Sequence, residues 1–144
     1  YTLSLHDALP IYCTIWYGVF NRQTRRLDYA SGGHHAAYLL DEGRSEAKAL
    51  HTRNVIIGAM PGKEFRHASV EVPPGATLSI FSDGVFEIVD RHGVQWSIDN
   101  FVELLMEHEV AQPGETQRIY ERVSAIADPD TLDDDFSLVM MTFD

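Results

Sequence analysis

Thr77-Leu78-Ser79-Ile80-Phe81-Ser82-Asp83-Gly84-Val85-Phe86-Glu87 is an apolar stretch that runs into an Asp-Gly turn, and its reading decides the fold. Pro73-Pro74-Gly75 forces a tight turn just ahead of it, residues 77–82 read as a strand, and Gly84 ends the extended run. Asp83 therefore stands at the carboxyl end of a strand, and residues 85–89 open as a short helix. Two roles suit an aspartate at that place. It can cap the helix through a side-chain oxygen, or it can offer a hard oxygen ligand to a divalent cation.

A second acidic cluster lies at the other end of the chain, in Asp133-Asp134-Asp135-Phe136-Ser137-Leu138-Val139-Met140-Met141. Three adjacent carboxylates repel one another unless solvent or cations screen them, and residues 136–143 behind them read as a closing strand. A solvated acidic loop answers the repulsion as well as a metal does. If Asp83 and Asp134 meet across one sheet, however, the pair suits Mg²⁺ or Mn²⁺, cations that polarise a phosphate and acidify water.

The segments between these anchors organise around strands and two helices. Residues 12–20, rich in Tyr, Ile, Trp, Val and Phe, read as a buried strand; a polar turn at 21–25 and a second strand at 27–30 make a hairpin. Ser31-Gly32-Gly33 breaks the chain where backbone freedom is needed, and residues 36–40 read as a third strand. Residues 44–53 are charged and read as a loop, residues 55–58 as a short apolar piece, and residues 68–72 as an alternating strand. Ser97 suits the N-cap of a helix with Ile98, Phe101, Val102 and Leu105 on one stripe. A second helix starts near Gly114 or Glu115, carries Ile119, Val123 and Ile126, and stops at Asp128-Pro129-Asp130.

Composition narrows the function classes. With 144 residues and 44% hydrophobic content, the chain can form one core and is short for two ordinary domains. Its 22 acidic and 11 basic side chains give a formal charge of −11, which argues against nucleic acid as a partner. Most of these carboxylates read as solvated surface. The single Cys13 excludes an internal disulfide or a cysteine zinc site, and its apolar surroundings place it in the core. No stretch approaches the roughly 20 apolar residues of a membrane span, so the reading is of a cytoplasmic chain without membrane insertion. Residues 1–11 resemble translated sequencing-adapter sequence, so His6 and Asp7 are expected to carry no chemistry. The domain is expected to occupy residues 12–144.

Five motifs in order carry a family resemblance: Tyr29-Ala30-Ser31-Gly32-Gly33-His34, Ile57-Gly58, Pro74-Gly75-Ala76-Thr77-Leu78, Phe81-Ser82-Asp83-Gly84-Val85-Phe86-Glu87, and Asp134-Asp135-Phe136-Ser137-Leu138-Val139. The series resembles the sporulation stage II E and sigma-regulation branch of the PP2C-like metal-dependent protein phosphatases. The resemblance implies an α+β fold, an α-β-β-α sandwich of antiparallel sheets, here the carboxyl-terminal part with the amino-terminal part missing. It implies two Mn²⁺ or Mg²⁺ ions in the complete domain, with Asp83 and Asp134 as metal ligands and Gly84 and Asp135 supporting them. No side chain is assigned as catalytic with certainty. The implied reaction is hydrolysis of phosphoserine or phosphothreonine on a bacterial regulatory protein of the anti-sigma-factor antagonist type. The alternative is a non-catalytic PP2C-like interaction domain, and a third reading is an unrelated acidic α+β binding domain without Mn²⁺ affinity. The oligomeric state stays open, with a homodimer among the options.

The chain also departs from the family pattern. Ala36 and Ala37 stand where prolines are usual, and Ser137 replaces a threonine. His34 is expected to be a local hydrogen-bonding residue rather than an acid for the leaving oxygen. The family's Gly-Asp and Asp-x-Ser-Gly-His-Gly motifs do not precede Tyr12, so weak cation binding and little or no turnover are expected of these 144 residues alone.

Overall fold

β1 (Ile15–Asn21), β2 (Arg26–Gly32), β3 (Ala37–Leu40), β4 (Ala47–Leu50), β5 (Ala68–Glu71), β6 (Thr77–Phe81), a 3₁₀ turn (Asp83–Val85), α1 (Ile98–Met106), α2 (Glu115–Ile126) and β7 (Leu138–Thr142) follow one another along the chain. The structure is a computed structural model that describes residues 12–107, 114–129 and 135–144. Residues 1–11, expected to be foreign to the domain, lie outside the described residues. The strands form two sheets, β1-β2-β5 and β4-β3-β6-β7, in two separate units of the chain. The pairings of β1 with β2, β2 with β5, β3 with β6 and β6 with β7 are all antiparallel. Two antiparallel sheets with two helices make the expected α+β class.

In the first unit, the β1–β2 hairpin closes because the Asn21 Oδ1 accepts the amides of Gln23 and Thr24 at 3.0 and 3.1 Å. Arg25 then takes a left-handed φ of 53°, and its Nε donates to the Val72 carbonyl at 2.9 Å. Leu27, Tyr29, Val70 and Val72 are buried, with Trp16 stacked on Tyr29 at 5.9 Å. β1 departs from the expected buried strand. Among the described residues it has a sheet neighbour on one side, and Ile15, Tyr17 and Val19 are exposed, Tyr17 by 61%. Trp16 anchors it through an indole N–H donated to the Leu50 carbonyl at 2.9 Å. Cys13 is exposed and not core, because it joins this edge only by a backbone bridge to Ile57.

The second unit carries the larger core. Leu40, Phe81, Val85, Ile88, Phe101, Leu105, Ile119 and Val123 are all buried in one cluster, with Phe81 edge-on to Phe101 at 4.7 Å. Near-continuous burial of Thr77, Leu78, Ser79 and Phe81 explains why β6 reads as an unbroken apolar run. α1 begins as expected: Asn100 Oδ1 accepts the Ser97 amide and hydroxyl, both at 3.0 Å. Its buried stripe is Phe101, Leu104 and Leu105, with Val102 and Ile98 only half-buried, a small rotation from the expected face.

Residues 44–53 are not a loop throughout, since β4 lies within them. The tight β3–β4 turn is held by Asp41, which accepts the Glu46 amide at 2.7 Å and the Ser45 hydroxyl at 2.8 Å. Arg44, at a φ of 51°, turns a charged side chain inward. Its guanidinium donates to the Leu105 carbonyl at 3.0 Å and pairs with Glu115, their side chains only 6% and 13% exposed. One cation thus ties the β3–β4 turn to the end of α1 and the start of α2.

Arg44→Ala is expected to destabilise the chain by about 3 kcal/mol in urea unfolding, because the largely buried Glu115 carboxylate loses its near cation and keeps the more distant Arg118, at 3.9 Å. Arg44→Met with Glu115→Gln is expected to cost less than the single change. Asp41 and Asp90 are held below the usual carboxylate range, chiefly by the backbone amides of Glu46 and Val94. The folded chain therefore binds fewer protons at these sites than the unfolded chain, and their contribution is complete above the unfolded value of about 3.9 and fades as pH falls through the folded values. Thermal melts between pH 5 and pH 2 are expected to show a shallower acid limb for Asp41→Asn with Asp90→Asn than for the parent sequence.

Candidate functional site

The β6–β7 ladder runs from Thr77↔Thr142 to Phe81↔Leu138 and continues one step past both strands. The Ser82 amide donates to the Ser137 carbonyl at 2.9 Å. The Ser82 hydroxyl accepts the Ser137 amide at 3.0 Å and donates to the Asp135 carbonyl at 2.7 Å. The carboxyl end of β6, which leads into Asp83, is therefore stitched to the acidic segment that leads into β7. The structure brings Asp83 and Asp135 to the same end of one strand pair. Asp134 and Asp133 lie outside the described residues.

Asp83 is exposed and opens the 3₁₀ turn, with Ser82 in the N-cap position. The expected helix over residues 85–89 is this shorter turn, and the chain moves on into a bridge between Val89 and Gln95. The Asp83 carboxylate accepts its neighbour Gly84's amide at 3.1 Å through Oδ1, and no other hydrogen bond holds it among the described residues. Capping is therefore not its role. Its carbonyl accepts the amides of Phe86 and Glu87 at 3.0 and 2.8 Å, while Gly84, Val85 and Ile88 are buried beneath it. A carboxylate with open lone pairs thus rides on a base fixed by the core.

The donor chemistry of Asp83 suits a hard divalent cation, since its open donors are carboxylate oxygens. Among the described residues, no three His, Cys, Asp or Glu side chains gather to hold a metal. The described part of the site is one open carboxylate, Asp83, beside the backbone of Asp135. Ser82 is the participant that sequence reasoning passed over. Its signal was present: a hydroxyl residue directly before Asp-Gly at a strand end whose partner strand begins with acids.

The Ser31-Gly32-Gly33-His34 motif has a structural explanation. Buried Ser31 and Thr52 exchange bonds in both directions: the Ser31 amide donates to Thr52 Oγ1 and the Thr52 amide to Ser31 Oγ, each at 2.8 Å. Asn54 Nδ2 donates to the Ser31 carbonyl at 2.9 Å. The Nδ1 of His34 and that of His35 each donate to the next residue's carbonyl at 3.0 Å, the local role expected for His34. Gly33 sits at a φ of 69° against Ile56.

The family described as Stage II sporulation protein E (SpoIIE) matches residues 2–144. The chain belongs to the SpoIIE family. Phosphoserine phosphatase RsbU of Bacillus subtilis (strain 168) is 24% identical over 132 residues, 91% of this chain and 39% of RsbU. Protein IcfG of Synechocystis is 26% identical over 85 residues, 59% of this chain and 13% of IcfG. Among solved structures, the SiaA-PP2C domain of Pseudomonas aeruginosa superposes with a TM-score of 0.81 at 20% identity, over 96% of this chain and 55% of that one. A PP2C phosphatase domain of Bacillus subtilis SpoIIE with a fragment of its regulatory domain gives 0.75 at 21% identity, over 96% and 40%. The fold is thus PP2C-like, and the chain spans about half or less of the length of these SpoIIE-family and PP2C relatives.

A side chain at position 33 has no room: a Cβ there would lie 2.1 Å from Ile56 Cγ2. Gly33→Ala is expected to destabilise the chain by about 2 kcal/mol or more. Gly62 has a similar φ of 70° with nothing within 4 Å, so Gly62→Ala should cost only about 1 kcal/mol. Equal losses in urea unfolding would refute the packing argument.

Proposed function

We propose that these residues form part of a metal-dependent phosphatase that removes phosphate from serine or threonine of a regulatory protein. One observation carries the reading: an open carboxylate, Asp83, stands beside the acidic lead-in to β7 at one end of the β6–β7 pair. Relatives support the chemistry by name. RsbU is called a phosphoserine phosphatase, the phosphatase domain of Bacillus subtilis SpoIIE was presoaked with Mn, and RsbX was crystallised in complex with magnesium.

In this reading Asp83 and Asp134 hold Mn²⁺ or Mg²⁺. Bound there, a pair of such cations supplies charge for the phosphoryl oxygens and lowers the pKa of a water. Gly84 directs its amide at Asp83 Oδ1 and leaves the approach free of a side chain, and Asp135 is held through its carbonyl. Phosphoryl transfer passes through a loose transition state, so positioning and charge matter more than a covalent nucleophile. The Ser82 hydroxyl is committed to Asp135 and Ser137 and needs no nucleophilic role. The proposed substrate is a phosphorylated protein of the anti-sigma-factor antagonist type, met in the cytoplasm. No helix among the described residues is long and apolar enough to cross a membrane.

In the longer protein that carries this segment, Asp83→Asn with Asp134→Asn is expected to lower Mn²⁺-dependent hydrolysis of p-nitrophenyl phosphate by about a thousandfold, the rate equivalent of several kcal/mol of lost charge stabilisation. Its circular dichroism should not change. A double variant that keeps its rate sinks the assignment. The 144 residues alone are expected to show little turnover, and robust chelator-sensitive hydrolysis by them would overturn the incomplete-site reading.

A further inference from the structure

β1 carries neither a charge nor a proline over Ile15–Asn21, the run Ile-Trp-Tyr-Gly-Val-Phe-Asn. β2 pairs along one of its edges over the whole strand, and among the described residues no strand pairs along the other. Strands at a sheet edge usually block a further partner with lysine or proline, and β1 has neither. Its outward row, Ile15, Tyr17 and Val19, is exposed by 38%, 61% and 52%. The apolar surface continues past the row. Gly32 is the register partner of Ile15, and Ile57 and Phe65, both exposed, lie so near it that a Cβ there would meet each at 3.3 Å.

Charge decides which molecule can approach this edge. The chain carries −11, so two copies repel over most of their surfaces. The acids are unevenly placed, however. In residues 12–36 and 50–72, the described part of the first unit, only Asp28, Glu64 and Glu71 are acidic, of 22 in the chain. Asp28 is paired with Arg26 at 2.7 Å. A second copy that meets β1 with its own β1 therefore brings little acid against acid. The strand is also its own complement. Antiparallel pairing about a twofold axis at Gly18 overlaps the whole strand and keeps the outward rows of both copies on one face. Tyr17 then stands opposite Val19 of the second copy and Trp16 opposite its Phe20, aromatic and β-branched pairs of the kind that stabilise antiparallel strands.

We propose that β1 is a self-association edge: two copies of this chain pair their β1 strands antiparallel about Gly18 and join their β1-β2-β5 sheets into one continuous sheet. This pairing is independent of the metal-site reading. The exposed apolar surface on each copy is on the order of 400 Å², about half of the roughly 800 Å² that each partner buries in a stable interface, so the dimer is weak, with a Kd on the order of 50 µM.

The test is sedimentation equilibrium of the 144-residue chain from about 5 to about 500 µM, with hydrogen exchange of the β1 amides followed over the same range. A monomer–dimer equilibrium is expected, with protection of residues 15–21 that rises with concentration. Raising NaCl from about 0.05 to about 0.5 M should tighten the dimer severalfold, because salt screens the repulsion between two acidic chains. Tyr17→Lys with Val19→Lys should weaken association about tenfold or more, while Met141→Lys, exposed on β7, should leave it unchanged. A chain that stays monomeric throughout overturns the proposal, whether its β1 amides exchange freely or are protected by other residues of the same chain. A dimer that keeps its Kd in the lysine double variant, loosens with salt, or is lost in Met141→Lys forms through another surface and overturns it too. Should the lysine double variant lose its circular dichroism, Tyr17→Ser with Val19→Ser replaces it. A severalfold weaker dimer then supports the edge, and the parent Kd overturns it.

Discussion

The antiparallel pairing of β6 with β7 is the constraint on which the rest of this structure depends. β7 follows β6 only after both helices, and their register from Thr77↔Thr142 to Phe81↔Leu138 makes neighbours of two acidic segments about fifty residues apart. A slip of one residue would turn Phe81 out of the core and carry Asp83 away from the lead-in to β7. The register is pinned at both ends. Thr77 and Thr142 share a hydroxyl contact at 3.1 Å at one end, and Ser82 clasps residues 135–137 at the other.

That pairing holds because β6 is buried along nearly its whole length. Phe81 lies between Phe101, Phe86 and Tyr38, so the last residue before the acidic turn is among the most firmly held in the chain. Arg44 and Glu115 add a polar constraint to the same core. Such a pair contributes less to stability than its charges suggest, since desolvation offsets most of the attraction. Its effect is geometric: the β3–β4 turn, the end of α1 and the start of α2 meet at one guanidinium.

Most strands and both helices were legible in the sequence, because turn residues and apolar periodicity mark them. The β1–β2 hairpin, β6 and α2 lie close to where Asn21, Pro73-Pro74-Gly75 and Gly114 place them. What failed did so where tertiary context decides. β1 has the composition of a buried strand, yet it lies at a sheet edge, which no local pattern encodes. β4 hides in a charged stretch because Ala47, Lys48, Ala49 and Leu50 carry little strand propensity, and their pairing with β3 comes from the Asp41 turn. Arg44 looks like surface until its partner, seventy-one positions along the chain, is known. At the site, the adjacency of Asp83 and the acidic lead-in follows from motif order and strand logic. The Ser82 clasp is a tertiary contact that no local pattern marks, since a serine before Asp-Gly has many local uses.

Placement and affinity are separate properties of such a site. The sheet supplies placement, holding Asp83 and Asp135 at one end of a strand pair. Affinity for a hard cation depends on the number and charge of oxygen donors, and Mg²⁺ asks for about six oxygens in near-octahedral order, several of them usually water. Among the described residues Asp83 offers one carboxylate, and no third acidic or imidazole group joins it. A fold can therefore be kept in register by serine, threonine and phenylalanine contacts that make no use of a metal, while cation binding rests on donors added to that frame. This division explains how a chain spanning 55% of a PP2C domain superposes on it with a TM-score of 0.81. The packing that aligns the backbones lies within these residues.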